Sequence, residues 1–126
     1  MDNEIYDDLD ELPPPPRVDI PAADLVLMEQ AARAIGAVRF EEVDGEGYAN
    51  LYLANGSVIN AWNPLVHSDD AFALMVKLGL HIDFAMGMAV AYSGTRYRKQ
   101  SVEHLDPDEN SATRRAITRA AAELGA

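Results

Sequence analysis

Within residues 38–62, short runs have apolar side chains at alternate positions, and this alternation restricts the fold of the 126-residue chain more than any other feature. Val38 and Phe40 alternate with charged residues, and the following segment repeats the pattern with Ala49 and Leu51. A period of two is the side-chain period of a β-strand that buries one face. The segment therefore predicts antiparallel strands joined by short turns.

The dipeptide Asn55-Gly56 lies near the centre of this segment and predicts a hairpin turn. A two-residue type I′ turn needs positive φ at both central positions, which asparagine and glycine tolerate better than other residues. Folding the chain about this turn pairs Leu53 with Val58. The same register places Trp62 on the face that is expected to meet the helices.

Residues 62–80, WNPLVHSDDAFALMVKLGL, predict the end of the third strand and a helix. Pro64 cannot donate to a strand ladder, Ser68 suits the N-cap position, and Gly79 suits the left-handed residue that ends a helix. The apolar residues at helical spacing are Ala71, Leu74, Met75 and Leu78, with Phe72 and Val76 widening the stripe. Trp62 is therefore expected to fill the core beneath this helix.

Two further helical patterns flank these elements. The first begins at Pro21 and ends at Gly36; the last begins near Asn110, and the basic residues expected on its solvent side are Arg114, Arg115 and Arg119. Before that last helix, residues 80–84 and 88–92 alternate as two more strands. The sequence thus predicts an α+β fold in the order αβββαββα, in which an antiparallel sheet of about five strands packs with three helices.

Acidic residues are concentrated towards the start of the chain. Residues 1–47 hold 13 of the 21 acidic and 3 of the 10 basic residues, and the net charge of the chain is −11. The first twelve residues lack a base and precede four prolines, so we expect residues 1–20 to be a disordered acidic arm and residues 21–126 a single domain. The arm is either a solubilising tail or a docking segment.

Charge and composition also restrict the class of partner. Nucleic-acid binding needs clustered lysine and arginine, so direct binding of nucleic acid is not expected. A basic surface on another protein suits the acidic balance, although solubility alone would explain it as well. No apolar run reaches the roughly 18 residues of a membrane-spanning helix, and cysteine is absent. These features predict a soluble cytoplasmic protein with no membrane partner.

The block WNPL followed by DAFALMVKLGL, together with the terminal ATRRAITRAAAELG, resembles the phage ABA-sandwich family of small bacteriophage and prophage proteins. The resemblance covers residues 21–125 and is carried mainly by residues 62–80 and 112–125. It implies an α/β sandwich and a phage or prophage origin, and hence a place in the host bacterial cytoplasm. It implies no agreed activity and no catalytic residue.

Two pairs of side chains have residue types suited to catalysis or to metal binding. His81 and Asp83 project from one face of a predicted strand and could act as a general-base pair, although a solvent-facing strand explains them more simply. His67 and Asp69 stand at the start of the middle helix and could bind zinc, but no second histidine follows at helical spacing. The sequence therefore predicts no metal, no cofactor and no catalytic residue.

The residues expected to bind a partner lie in the acidic arm and in a later basic and aromatic segment, and they are Asp7, Asp8, Asp10, Glu11, Arg96, Tyr97 and Arg98. The basic segment is explained equally well as solvated charge on an edge strand.

We expect a non-enzymatic acidic protein that binds a host protein machine, as an anti-CRISPR or anti-restriction inhibitor that mimics the charge of DNA. The alternatives are an accessory phage structural or replication protein and, less favoured, a small enzyme that uses His81 and Asp83. A homodimer is left open.

Overall fold

The computed structural model describes residues 13–94, 101–105 and 107–126. These residues form three α-helices and six β-strands, which confirms the α+β class. The elements are α1 (Ala22–Ala34), β1 (Ala37–Val43), β2 (Tyr48–Leu53), β3 (Val58–Trp62), α2 (Ser68–Leu78), β4 (Leu80–Ala85), β5 (Met88–Ser93), β6 (Ser101–His104) and α3 (Glu109–Gly125).

The strands form two antiparallel sheets of three strands each, in the orders β1-β2-β3 and β4-β5-β6. The predicted single sheet of about five strands is therefore not confirmed. Periodicity identifies strands but cannot show whether strands on either side of a helix share a sheet. Strand β6 has no predictive pattern in the sequence, because Val102 is the only apolar residue in its four positions. The chain thus runs twice through a helix and a three-stranded meander, and α3 follows the second meander.

Helix α3 lies at the centre of the packing. It contacts α1, α2 and all three strands of the second sheet. Small buried residues such as Ala116 and Ala120 allow this close approach. At the end of the helix a side-chain carbon on Gly125 would overlap the carbonyl oxygen of Gln30 in α1. One buried cluster joins residues from both sheets, including Leu51 and Ala91.

Three arginines of α3 tie this helix to three different parts of the fold. Arg114 donates from Nε to the carbonyl oxygen of Leu65 at 3.0 Å, and Arg115 pairs with Asp24 of α1 at 3.1 Å. Arg119 pairs with Glu103 of β6. Arg119 is exposed and Arg114 and Arg115 are half-buried on this outward side of α3, and the sequence pattern of the helix cannot show their acceptors on neighbouring elements.

The β2–β3 hairpin has a different turn from the one predicted. Leu53 donates to the carbonyl oxygen of Ser57 at 2.9 Å, and Gly56 donates to the carbonyl oxygen of Leu53 at 3.0 Å. These bonds enclose a three-residue loop in which Gly56, but not Asn55, has positive φ (90°). Asn55 instead accepts the backbone N–H of Ser57 on its side-chain oxygen at 2.9 Å.

The longer loop shifts the strand register by one residue. Val58 lies opposite Tyr52, so the predicted pairing of Leu53 with Val58 is wrong. Such a shift alone would turn every later side chain to the other face. A bulge corrects it: Ala61 has a φ of 55° and donates its N–H to Asn50 Oδ1 at 3.1 Å. Trp62 consequently lies opposite Ala49 and points into the core, because the bulge restores the predicted register at this end of β3.

Helix α2 buries a narrower face than the sequence predicted. Ala71 and Leu74 are buried, whereas Phe72 is 60 % and Val76 is 64 % exposed. These two residues do not widen the buried stripe, because the packing of α2 against α3 covers only one side of the helix. Gly79 follows the helix in the left-handed conformation with a φ of 65°, as expected. The N-cap is His67 rather than Ser68, whose hydroxyl oxygen accepts a hydrogen bond from Arg114 at 3.2 Å.

Candidate functional site

The segment after the four prolines is hydrogen-bonded to the β1–β2 turn. Arg17 binds both carboxylate oxygens of Asp44, at 2.8 and 3.3 Å, and contacts Asp19 at 3.1 Å. Val18 donates its N–H to the carbonyl oxygen of Gly45 at 2.9 Å and forms a parallel bridge with Glu46. We call residues 17–20 the strap. These contacts of Arg17 and Val18 lie ahead of residue 21, the predicted start of the domain.

The strap, the end of β1 and the β1–β2 turn together carry four exposed carboxylates. We call this cluster the acidic pole, and its members are Asp19, Glu42, Asp44 and Glu46. The first twelve residues, which hold six further acidic residues and no base, precede the strap in the chain.

The pole borders a cleft of about 180 Å³ between the strap and the turn that follows Trp62. We call it the acidic cleft. Its acidic wall contains Asp19, Asp24 and Glu46, and His67 lies on its rim. Ile20 and Leu65 supply an apolar wall. A cleft with one apolar and one acidic wall has the chemistry to hold a long basic side chain, whose alkyl stem packs while its charged end meets carboxylate oxygens.

The contacts between Arg17 and Asp44 shift the pKa values of both side chains. The hydrogen bonds and the positive charge of Arg17 lower the pKa of the Asp44 carboxyl below the ordinary value, and the same contacts raise the pKa of Arg17. Because the pKa of Asp44 is lower in the folded state, its stabilising effect is present above the ordinary carboxyl pKa of about 4. It is lost as the pH falls through the depressed folded pKa.

We therefore expect the strap to loosen in acid. Amide hydrogen exchange at Val18, followed by NMR, measures this directly because its N–H bonds the β1–β2 turn. Protection should fall below about pH 4 in the native chain, after correction for the intrinsic exchange rate. Asp44→Asn should reduce protection already at neutral pH and remove most of the acid-dependent change. Equal protection profiles for both proteins would show that Arg17 and Asp44 do not hold the strap.

The turn at residues 62–67 is organised by a buried asparagine. Asn63 is 3 % exposed, donates from Nδ2 to the carbonyl oxygen of Gly47 at 2.8 Å, and accepts the N–H of Leu65 at 3.0 Å. Its own N–H donates to Asp70 Oδ2 at 2.9 Å. Pro64 is fully buried directly after β3 ends at Trp62. This network fixes the floor of the acidic cleft.

His67 pairs with Asp70 and not with Asp69, the residue that the sequence suggested as its partner in a zinc site. Its Nδ1 lies 3.2 Å from Asp70 Oδ2, and Asp69 faces solvent. Within the described residues no group of three or more histidine or acidic side chains could hold a metal ion. Sequence reasoning missed Asn63, Asp70 and Arg17. The available signals were an aspartate in the first turn of a helix and an arginine directly after a proline run.

The candidate catalytic pair lies on the open face of the second sheet. His81 is exposed and stacks on Tyr92, with ring centroids 5.2 Å apart and planes inclined by 15°. Asp83 follows on the same face of β4. Neither residue lines the acidic cleft or four other clefts between described residues.

The partner-binding residues predicted from the sequence, Asp7, Asp8, Asp10, Glu11, Arg96, Tyr97 and Arg98, lie outside the described residues. No helix among the described residues is both long and apolar enough to cross a membrane. No known protein family, no curated protein and no solved structure matches the chain. The resemblance to the phage ABA-sandwich family stays a prediction that rests on residues 62–80 and 112–125.

Proposed function

We propose that the chain is a non-enzymatic protein that binds a host protein machine with a basic surface. The observation that carries this proposal is the acidic cleft at the acidic pole, where carboxylates face a cavity with an apolar wall. The exposed carboxylate of Glu46 is accessible to a partner, whereas Asp24 is already shared with Arg115. A lysine or arginine of the partner would enter this cleft and meet Glu46.

Long-range attraction would add to this local contact. The six acidic residues among the first twelve would add to the negative charge on this side of the sequence, because the chain connects them to the strap through four prolines. Fields of this kind accelerate the encounter with an oppositely charged surface and weaken as salt increases. We therefore assign two roles to the acidic arm: it accelerates the encounter with the partner, and it binds the partner's basic surface.

The partner class follows from the charge. Nucleases of host defence systems bind DNA through grooves lined with lysine and arginine, which an acidic protein can occupy in place of phosphates. We therefore infer an anti-defence inhibitor, of the anti-CRISPR or anti-restriction type, that mimics the charge of DNA. The resemblance of residues 62–80 and 112–125 to small phage proteins supports a phage or prophage origin and action in the host bacterial cytoplasm.

Phage plating on a host that carries a defined restriction or CRISPR system tests the inhibitor. Expression of the native chain should raise plating efficiency on the defended host and leave it unchanged on an undefended one. Glu42→Gln combined with Glu46→Gln should reduce the gain, and removal of residues 1–12 should reduce it further. Duplex DNA should compete with the chain for the purified defence complex.

A matched control separates local charge from total charge. Asp69 and Glu123 are exposed carboxylates outside the acidic pole. Asp69→Asn combined with Glu123→Gln removes the same number of negative charges and should leave inhibition unchanged. If both double variants inhibit equally, the acidic pole is not the binding surface; if the native chain gives no gain on any defended host, the inhibitor function is wrong.

A further inference from the structure

Among the residues that the structure describes, no strand pairs with the outer edge of β4 in the second sheet. The register pairs Ala85 with Met88 across the two-residue turn Met86-Gly87. In such a hairpin the closing pair exchanges hydrogen bonds, so alternate residues along the strand direct their N–H and C=O groups towards β5 or away from it. The outward groups of β4 belong to Leu80, Ile82 and Phe84. Within the described part of the chain, no other backbone segment bonds them.

The open edge of β4 lacks the protection found on the first sheet. There, β1 places Arg39, Glu41 and Glu42 along one edge, and the bulge at Ala61 distorts the other. β4 instead keeps a regular register over all six residues and contains neither proline nor lysine. A regular, unprotected edge strand is a template for pairing with another strand.

Exposed apolar side chains surround this edge. Phe84 is 57 % exposed on the same face of β4 as Ile82. Ile82 and Phe72 line one cleft of about 220 Å³ between α2 and α3. Val76 lies one turn after Phe72 on α2 and is likewise exposed. The edge therefore combines unpaired backbone groups with apolar surface, a combination that single-chain proteins normally cover.

We propose that a second copy of this chain pairs antiparallel with β4 about a two-fold axis at Ile82. This register joins the outward backbone groups of both strands and forms one six-stranded sheet. It places Leu80 opposite Phe84 of the partner subunit, which covers the exposed phenyl ring. It also places His81 opposite Asp83 of the partner subunit, and symmetry repeats both contacts.

The side chains that meet across the strands favour this register and this occupant. An axis at Asp83 would oppose two carboxylates, and like charges directly opposite each other destabilise a strand pair. The axis at Ile82 instead places opposite each carboxylate an imidazole, whose ring N–H can donate a hydrogen bond. Two copies with a net charge of −11 repel each other through their acidic surfaces. The β4 edge is a surface on which a copy meets apolar and complementary groups instead.

Sedimentation velocity of the full-length chain, from low to high micromolar concentration, tests the dimer. The native chain should show a reversible monomer–dimer equilibrium. Phe84→Glu should abolish the dimer, because the new carboxylate would face Leu80 of the partner subunit. Val38→Glu, at an exposed apolar residue of β1, is the matched control and should leave the equilibrium unchanged. Circular dichroism verifies that each variant is folded.

A charge exchange tests the register itself. His81→Asp should weaken the dimer about tenfold, because symmetry counts each like-charge pair twice. Combining His81→Asp with Asp83→His restores opposite partners and should recover most of the native affinity. A native chain that is monomeric throughout, or a dimer that resists Phe84→Glu, would overturn the proposal. Phage inhibition by monomeric Phe84→Glu is a separate readout, so the failure of one proposal leaves the other standing.

Discussion

Replacing Trp62 by alanine should lower the free energy of unfolding by about 3–5 kcal/mol, because it removes the largest side chain of the core and leaves a cavity. Trp62 is 2 % exposed and lies opposite Ala49, in the same buried cluster as Met28 and Leu74. Denaturant titration measures the change. The titration must be followed by circular dichroism, since Trp62 is the only tryptophan in the chain and its fluorescence is lost in the variant.

Val58→Ala provides the control within the same strand. Val58 is exposed on β3, so its truncation should change stability by less than about 0.5 kcal/mol. If Trp62→Ala keeps the native stability but loses inhibition of the host, the indole is a contact residue for the partner and not a core residue.

Replacing Asn63 by alanine should cost about 2–4 kcal/mol. The variant leaves the carbonyl oxygen of Gly47 and the N–H of Leu65 without their side-chain partner, and each unsatisfied buried group costs about 1–3 kcal/mol. Because these bonds join the turn after β3 to the β1–β2 turn, we also expect faster amide exchange at Leu65. A loss below about 1 kcal/mol would mean that water replaces the amide in the variant.

Asn63→Asp keeps the size of the side chain but removes its N–H donor, so its stability separates the effect of the lost hydrogen bond from that of the lost volume. The introduced carboxylate keeps an acceptor for Leu65 but cannot donate to Gly47, and it lies beside the carboxylate that binds the backbone N–H of residue 63. Burial and the negative charge of Asp70 should raise the pKa of the introduced carboxyl in the folded state. The destabilisation should therefore be largest at neutral pH and decrease as the pH falls towards 4. A pH-independent loss would exclude this account.

Local sequence patterns correctly predicted the helices and strands whose ends depend only on residues nearby in the chain. The helix from residue 68 to 78 follows from its apolar period and from Gly79, and the end of β3 follows from Pro64. The β2–β3 hairpin shows the limit of such patterns. The Asn55-Gly56 signal identified a turn correctly, but a loop one residue longer shifted the register, and only the bulge at Ala61 returned Trp62 to the core.

The candidate surfaces depend on contacts that no local pattern contains. The acidic cleft requires Arg17 to reach Asp44, and its floor requires Asn63 to reach Gly47. In the same way, Phe72 and Val76 belong to an apolar stripe by spacing, yet they are exposed because α3 covers only one side of α2. Burial depends on what packs against a residue, which spacing within one helix cannot show.

The sequence by itself determined the α+β class, the uneven charge and the sites at which most helices and strands begin and end. These properties depend on backbone preferences and side-chain spacing within a few residues of each position. Only the tertiary structure decided that the strands form two sheets, that the strap completes the acidic pole and that no described strand pairs with the outer edge of β4. Those properties depend on which distant segments supply hydrogen-bond partners and cover apolar surface, and pairing over such distances is fixed by the packing of the whole chain.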